Sequence, residues 1–219
     1  FSSCCGGSII QLDPGIIMTA AHCLDATILP FSDIYIDLGV DKADRGNFNP
    51  DKSNQFKAIK LLKHPDYKVI PLLTIQHRYD NDIGLIYIAE NLSDYDFKRV
   101  IIPDSMECCN EGDDLQVIGY GLDSENGDYT ETIQYGDLKY VSNQKCGEIM
   151  DITENMLCAY ENGTDACQCD SGGPLIKTDT NEQVGIVSWG DGCAENGIPG
   201  IYTNTGVYSD WIASNIDED

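Results

Sequence analysis

Short apolar runs separated by polar turns set the rhythm of the first third of the chain: Gly7 to Leu12, Ile16 to Ala21, Ile34 to Leu38 and Phe56 to Leu62. Runs of this length bounded by turn residues predict strands of an antiparallel sheet. Ile83 to Ala89, reading IGLIYIA, is apolar at nearly every position and predicts a buried strand. From Glu90 to Asp114 the chain turns polar and carries Pro103, as expected of a connection between two halves. The short-strand rhythm resumes at Leu115 to Tyr120, Asp137 to Ser142, Met156 to Tyr160, Pro174 to Lys177, Gln183 to Gly190 and Gly200 to Asn204. Only the end differs: Val207, Trp211, Ile212 and Ile216 recur at helical spacing and predict a helix over Val207 to Ile216.

Composition sharpens this picture of two β-halves and a terminal helix. With 219 residues and 42% hydrophobic content, the chain can bury a core as one domain or two small packed ones. Thirteen basic residues against 37 acidic ones give a net charge of -24, which disfavours nucleic acid and anionic membranes as partners. No run approaches the length of a membrane span, and FSSCCGGSII lacks the basic and apolar regions of a signal peptide. Ten cysteines, with glycosylation sequons at Asn91 and Asn162, point to an oxidising, secreted, extracellular setting. Residues 41–55 are rich in Asp and Asn but follow no EF-hand spacing, so a plain acidic loop is expected there and not a calcium site.

The densest chemistry lies in Asp165 to Pro174, reading DACQCDSGGP. Ser171 sits on a turn that two glycines keep open, and it becomes a nucleophile only if a base and an orienting carboxylate exist elsewhere. Three histidines make the search for a base short. His22 ends the apolar run of TAAHC, whereas His64 and His77 stand in polar surroundings and are expected on the surface. Asp82 lies at the mouth of the most apolar strand, where a carboxylate needs a hydrogen-bond partner such as an imidazole N–H. A metal site is a poor reading, since only His22 and Cys23 fall close together; no metal or cofactor is expected.

TAAHC, DNDIGLI and DACQCDSGGP, in that order, resemble the three signature blocks of the chymotrypsin-like serine proteases, trypsin-like branch. CCGGSII, SWGDGC, PGIYTN and the Trp211 helix extend the resemblance over nearly the whole chain. It implies an all-β fold of two antiparallel Greek-key β-barrels packed together, with a C-terminal α-helix. The whole of 1–219 would be one protease domain, 1–102 forming the first barrel without its opening segment and 103–219 the second barrel plus helix. It also implies a triad in which Ser171 attacks, His22 takes its proton and Asp82 orients the ring. The oxyanion would be met by the backbone N–H groups of Cys169 and Ser171. Asp165 would take an Arg or Lys side chain at the end of a slot left open by Gly190 and Gly200. Gln168, Ser188 and Trp189 would complete the substrate site, the strand at Ser188 to Gly190 pairing with substrate backbone. The expected partners are polypeptides cut after Arg or Lys and protein protease inhibitors, met by a monomer. The family pattern further implies bridges Cys5 to Cys23, Cys146 to Cys158 and Cys167 to Cys193.

Three departures from that pattern matter. Leu115 and Lys177 stand where relatives carry a further disulfide, leaving Cys4, Cys108, Cys109 and Cys169 with three possible pairings. Cys169 replaces the usual glycine, where a positive φ disfavours other residues by roughly 1 to 2 kcal/mol. A bridge from Cys4 would hold that loop in shape; Cys108 and Cys109 could bridge each other, or one could hold a segment not present. Finally, Phe1 falls where relatives are already entering the strand before CGGS, so Asp170 is expected to lack the N-terminal ammonium that activates them and this span to be weakly active. The alternative reading is a catalytically weak or inactive homologue that binds a partner through the same cleft.

Overall fold

The computed structural model describes residues 4–25, 34–41, 54–71, 77–125, 127–128 and 130–216. The first half folds as an antiparallel sheet in the order β1-β2-β7-β4-β3. Its members are β1 (Ser8–Gln11), β2 (Ile16–Thr19), β3 (Tyr35–Asp37), β4 (Gln55–Lys63) and β7 (Gly84–Ile88). A two-stranded hairpin of β5 (Lys68–Pro71) and β6 (His77–Asp80) stands beside it. The second half closes into a six-stranded antiparallel barrel in the order β10-β13-β12-β11-β8-β9. It is built from β8 (Asp114–Gly119), β9 (Gln134–Val141), β10 (Met156–Tyr160), β11 (Pro174–Lys177), β12 (Glu182–Trp189) and β13 (Gly200–Asn204). Helices α1 (Ala21–Asp25), α2 (Asn143–Cys146) and α3 (Ser209–Ile216) complete the chain. No helix among the described residues is long and apolar enough to cross a membrane.

Every residue of β7 is buried, as its unbroken apolar run requires, and so is every residue of β13. One core cluster fills the second barrel with Leu115, Val117, Leu138, Leu157, Leu175, Val184 and Tyr202. Another joins the halves: Ile10, Met18 and Leu85 of the first sheet pack with Ile186 of β12 and Tyr208 and Ile212 near the C-terminus. Burial of such side chains contributes about 1.5–3 kcal/mol each. The seam between the halves is also hydrogen-bonded, Ser8 Oγ donating to Gln183 Oε1 at 2.5 Å with both residues buried.

Two expectations need correction here. The terminal helix starts later than Val207: Thr205–Tyr208 is a 3₁₀ turn, because the Asn204 side chain accepts from the Gly206 N–H and caps that tighter turn first. His64 is only partly on the surface; it is half-buried, its ring 5.0 Å from both Tyr208 and Trp211. Burial holds its pKa below the ordinary value despite nearby Asp66. His77 begins β6. Most of the acidic loop at 41–55 lies outside the described residues, although Gln55 already opens β4.

Candidate active site

Strand register brings the first two site residues together. Thr19 at the end of β2 pairs with Gly84 at the start of β7, so the residues following Thr19 lie beside those preceding Gly84. α1 then carries His22 in its first turn, over Gly84. A Cβ at Gly84 would come 2.7 Å from Leu24 Cδ1 and 3.2 Å from the Leu62 carbonyl, so glycine lets the Leu24 side chain of α1 pack directly on β7.

Asp82 receives His22 twice. The His22 backbone N–H donates to Asp82 Oδ1 at 2.8 Å, and ring Nδ1 lies 2.7 Å from Oδ2. Ser188 Oγ donates to the same Oδ2 at 2.6 Å, and Thr203 Oγ1 fixes the Asp82 carbonyl at 2.9 Å. The Asp82 side chain is 1% exposed and that of His22 16%. Burying a carboxylate is costly unless its oxygens are hydrogen-bonded, and here both are. The ring of Tyr79 on β6 stacks on the His22 ring at 4.5 Å and 10°.

The serine loop meets His22 across the seam. Gly6 N–H donates to the Ser171 carbonyl at 2.8 Å, and Thr19 Oγ1 donates to the Gly6 carbonyl at 2.8 Å. Cys23 Sγ lies 3.5 Å from the Ser171 carbonyl and 3.9 Å from His22 Nε2. The Ser171 backbone and the outer ring nitrogen of His22 thus share Cys23 Sγ as a neighbour. A hydroxyl beside an imidazole whose other nitrogen rests on a buried carboxylate can attack a carbonyl while the ring takes its proton. Just before Ser171, Cys169 is disulfide-bonded to Cys4 and holds φ 78. The other bridges are Cys5 to Cys23, Cys146 to Cys158 and Cys167 to Cys193.

Beside Ser171 opens a cavity of about 160 Å³ lined by Asp165, Gln168, Ser188, Trp189, Gly190 and Gly200. Asp165 accepts the N–H groups of Ala166 at 2.8 Å and Ala194 at 3.1 Å. Burial outweighs these bonds and, helped by the nearby Asp170 charge, pushes its pKa up to about 6. A Cβ at Gly200 would reach 2.6 Å from Asp165 Oδ1 and 3.2 Å from the Tyr202 hydroxyl. That hydroxyl is buried with no hydrogen-bond partner among the described residues. The carboxylate and the unpartnered hydroxyl therefore line one end of the cavity, both able to accept from a ligand's N–H. Asp170 accepts the N–H groups of Gly121 at 2.7 Å and Cys167 at 3.0 Å, at the edge of a second cavity of about 330 Å³.

Tyr79 and Arg78 escaped sequence reasoning. Arg78 places its guanidinium 5.2 Å over the Trp189 ring and pairs with Asp151 at 2.9 Å. The basic-aromatic pair RY in a polar stretch carried no signal of its own; only the β5 and β6 hairpin brings both residues over the cleft. Of the sequons, Asn162 is exposed, whereas the Asn91 amide donates to Asp13 Oδ2 at 2.8 Å. Cys5, His22 and Cys23 are grouped closely enough to suggest a metal, but the two sulfurs are spent on each other and offer no thiolate.

The family model described as Trypsin matches residues 1–212. The chain is 34% identical to "Trypsin II-P29" of Gallus gallus over 97% of its own length and 79% of that protein's. It is 35% identical to "Trypsin eta" of Drosophila melanogaster, covering 97% of this chain and 77% of the relative, and 34% identical to "Trypsin-3" of Salmo salar, covering 96% and 82%. A buried carboxylate, an imidazole and a serine on a glycine turn, carried on these sheets, thus agree with similarity across nearly the whole chain: it belongs to the chymotrypsin-like trypsin family of serine endopeptidases.

Proposed function

We propose that the protein is a secreted endopeptidase that hydrolyses peptide bonds after Arg or Lys through an acyl-enzyme on Ser171. The observation that carries the reading is His22 Nδ1 at 2.7 Å from the buried Asp82 carboxylate, with Ser188 closing the same oxygen. That bond fixes the tautomer, so Nε2 is the base that takes the Ser171 proton and later returns it to the leaving amine. Asp82 stabilises the imidazolium that forms between the two events. The backbone N–H groups of Cys169 and Ser171 meet the oxyanion, each contributing roughly 3 kcal/mol to the transition state.

Specificity follows from the cavity. An Arg or Lys head entering it brings N–H donors and a positive charge to the Asp165 carboxylate and a donor to the Tyr202 hydroxyl, whereas a neutral apolar side chain leaves the carboxylate without a counter-charge and the hydroxyl without a partner. Asp170, beside the larger cavity, is the receptor for the ammonium released when a longer precursor is cut. The secreted setting is supported by the four disulfides.

Titration of the full-length processed protein with a serine-directed covalent inhibitor tests this reading. Stoichiometric label on Ser171 is expected. Absence of label on a folded, processed sample would favour a binding protein that uses the same cleft without chemistry.

A further inference from the structure

Two thiols lie apart from the active site and belong to none of the four bridges. Cys108 and Cys109 are adjacent in sequence, half-buried, and pack against the core cluster of the second barrel. Their sulfurs are 3.2 Å apart, well beyond the roughly 2.05 Å of a disulfide, so the pair stands here as a dithiol. Neither residue lines the cavity at Asp165 or the one at Asp170.

The surroundings favour a reactive sulfur. Lys177, itself 9% exposed, donates to the Cys108 carbonyl at 3.2 Å and pairs with Asp113 at 2.9 Å. Its ammonium is thereby fixed against the Cys108 backbone. Donation from the Cys109 thiol outweighs burial and holds the Cys108 thiol below the ordinary range, and the same interaction together with burial pushes Cys109 up. Two thiols this close, one able to attack once the other has reacted, are arranged for exchange with an external disulfide.

Adjacency sets how firmly the pair can close. Successive Cα atoms are held about 3.8 Å apart by the peptide bond, shorter than the roughly 4.4–6.8 Å that disulfides usually span. Bonding the two sulfurs closes a small ring that strains the peptide between them. Strained disulfides are the readily reduced ones, in contrast with bridges joining distant segments. Cys4 to Cys169, for example, joins positions 165 residues apart.

We propose that Cys108 and Cys109 form a reversible dithiol/disulfide couple that exchanges with small-molecule disulfides, separately from the four structural bridges. In the oxidising direction the Cys108 thiolate attacks one sulfur of a disulfide such as oxidised glutathione. The bond between the reagent's sulfurs breaks and one thiol leaves. Cys109 then loses its proton, attacks the Cys108 sulfur, and releases the second thiol. Two protein thiols are oxidised and one external disulfide is reduced to two thiols. Excess free thiol reverses both steps.

The test equilibrates the full-length protein in buffers of stepped reduced-to-oxidised glutathione ratio, alkylates free thiols in the native state, and maps peptides by mass. The peptide holding Cys108 and Cys109 is expected to pass from doubly alkylated to unalkylated and lighter by two hydrogens. The other four bridges stay closed over that range, and phenylarsine oxide, which spans close thiol pairs, blocks both alkylations together. Cys109→Ser is expected to stop at a mixed disulfide of Cys108 with glutathione. Double alkylation at every ratio would overturn the proposal, as would the opening of all bridges together or a bond from either cysteine to another chain.

Discussion

Cys4 is disulfide-bonded to Cys169, and Cys169 stands at φ 78, two positions before Ser171. A non-glycine residue in this region is disfavoured by roughly 1–2 kcal/mol, so something outside the loop must hold it there. The bridge supplies that hold, since it ties the loop to the segment entering β1. Cys4→Ala is therefore expected to lower kcat about tenfold with little change in KM, the loop relaxing away from the geometry that meets an oxyanion. The double variant C4A/C169G should recover most of the loss, because glycine adopts this φ without help. Steady-state kinetics on the pair checks it, and a fully active C4A would remove the role given to the bridge.

Asp165 gives opposite pH dependences for activity and stability. Its carboxyl holds a proton more tightly in the fold, at about 6, than at the ordinary 3.8. Folding is therefore increasingly opposed as pH rises from 3.8 through about 6, and the full penalty stands above that range. Asp165→Asn should raise stability at neutral pH by up to about 3 kcal/mol, with the gain fading in acid below the ordinary carboxylate range. On the proposed specificity, activity is expected to move the other way: kcat/KM for Arg and Lys substrates should fall as pH drops through about 6, where the carboxylate is lost. Thermal melts and rates across pH on both proteins read the two trends.

On the proposed mechanism Tyr79 is expected to act through His22, as a positioning residue. Its ring lies 4.5 Å from that of His22 and nearly parallel to it. Aromatic pairs of this kind contribute about 1 kcal/mol, so Tyr79→Ala should cost roughly fivefold in kcat. Tyr79→Phe, which keeps the stack, should restore it, and a loss in both variants would point to the hydroxyl instead.

Gly84→Ala tests the close approach of α1 to β7. The added methyl meets Leu24 and the Leu62 carbonyl, and overpacking of this kind costs about 1–3 kcal/mol. The melting temperature should fall by roughly 2–4 °C per kcal/mol, and kcat should fall with it because His22 rides on α1. A melt shift without any kinetic change would separate the helix position from the chemistry.

Strands with unbroken or alternating apolar runs were legible in the sequence, Met156 to Tyr160, Pro174 to Lys177 and Gly200 to Asn204 to the residue. The meeting of His22 with Asp82 was legible because one follows β2 and the other precedes its partner β7, each within a distinctive block. What escaped depends on contacts between distant segments. The packing of His64 against Tyr208 and Trp211 joins positions far apart in the chain and leaves no local pattern. The β5 and β6 hairpin, with Pro71 at one end and mixed polarity throughout, buries too little to print a period, so Tyr79 and Arg78 were invisible until it was placed.

A cleavage-site profile of the full-length processed protein on a complex peptide mixture, run beside its Ser171→Ala variant, tests the central claim most directly. Cuts are expected only at the bonds following Arg and Lys, with the rate falling by several orders of magnitude in the variant. Cuts without regard to a basic residue, or a variant that cleaves as fast as the parent, would contradict it.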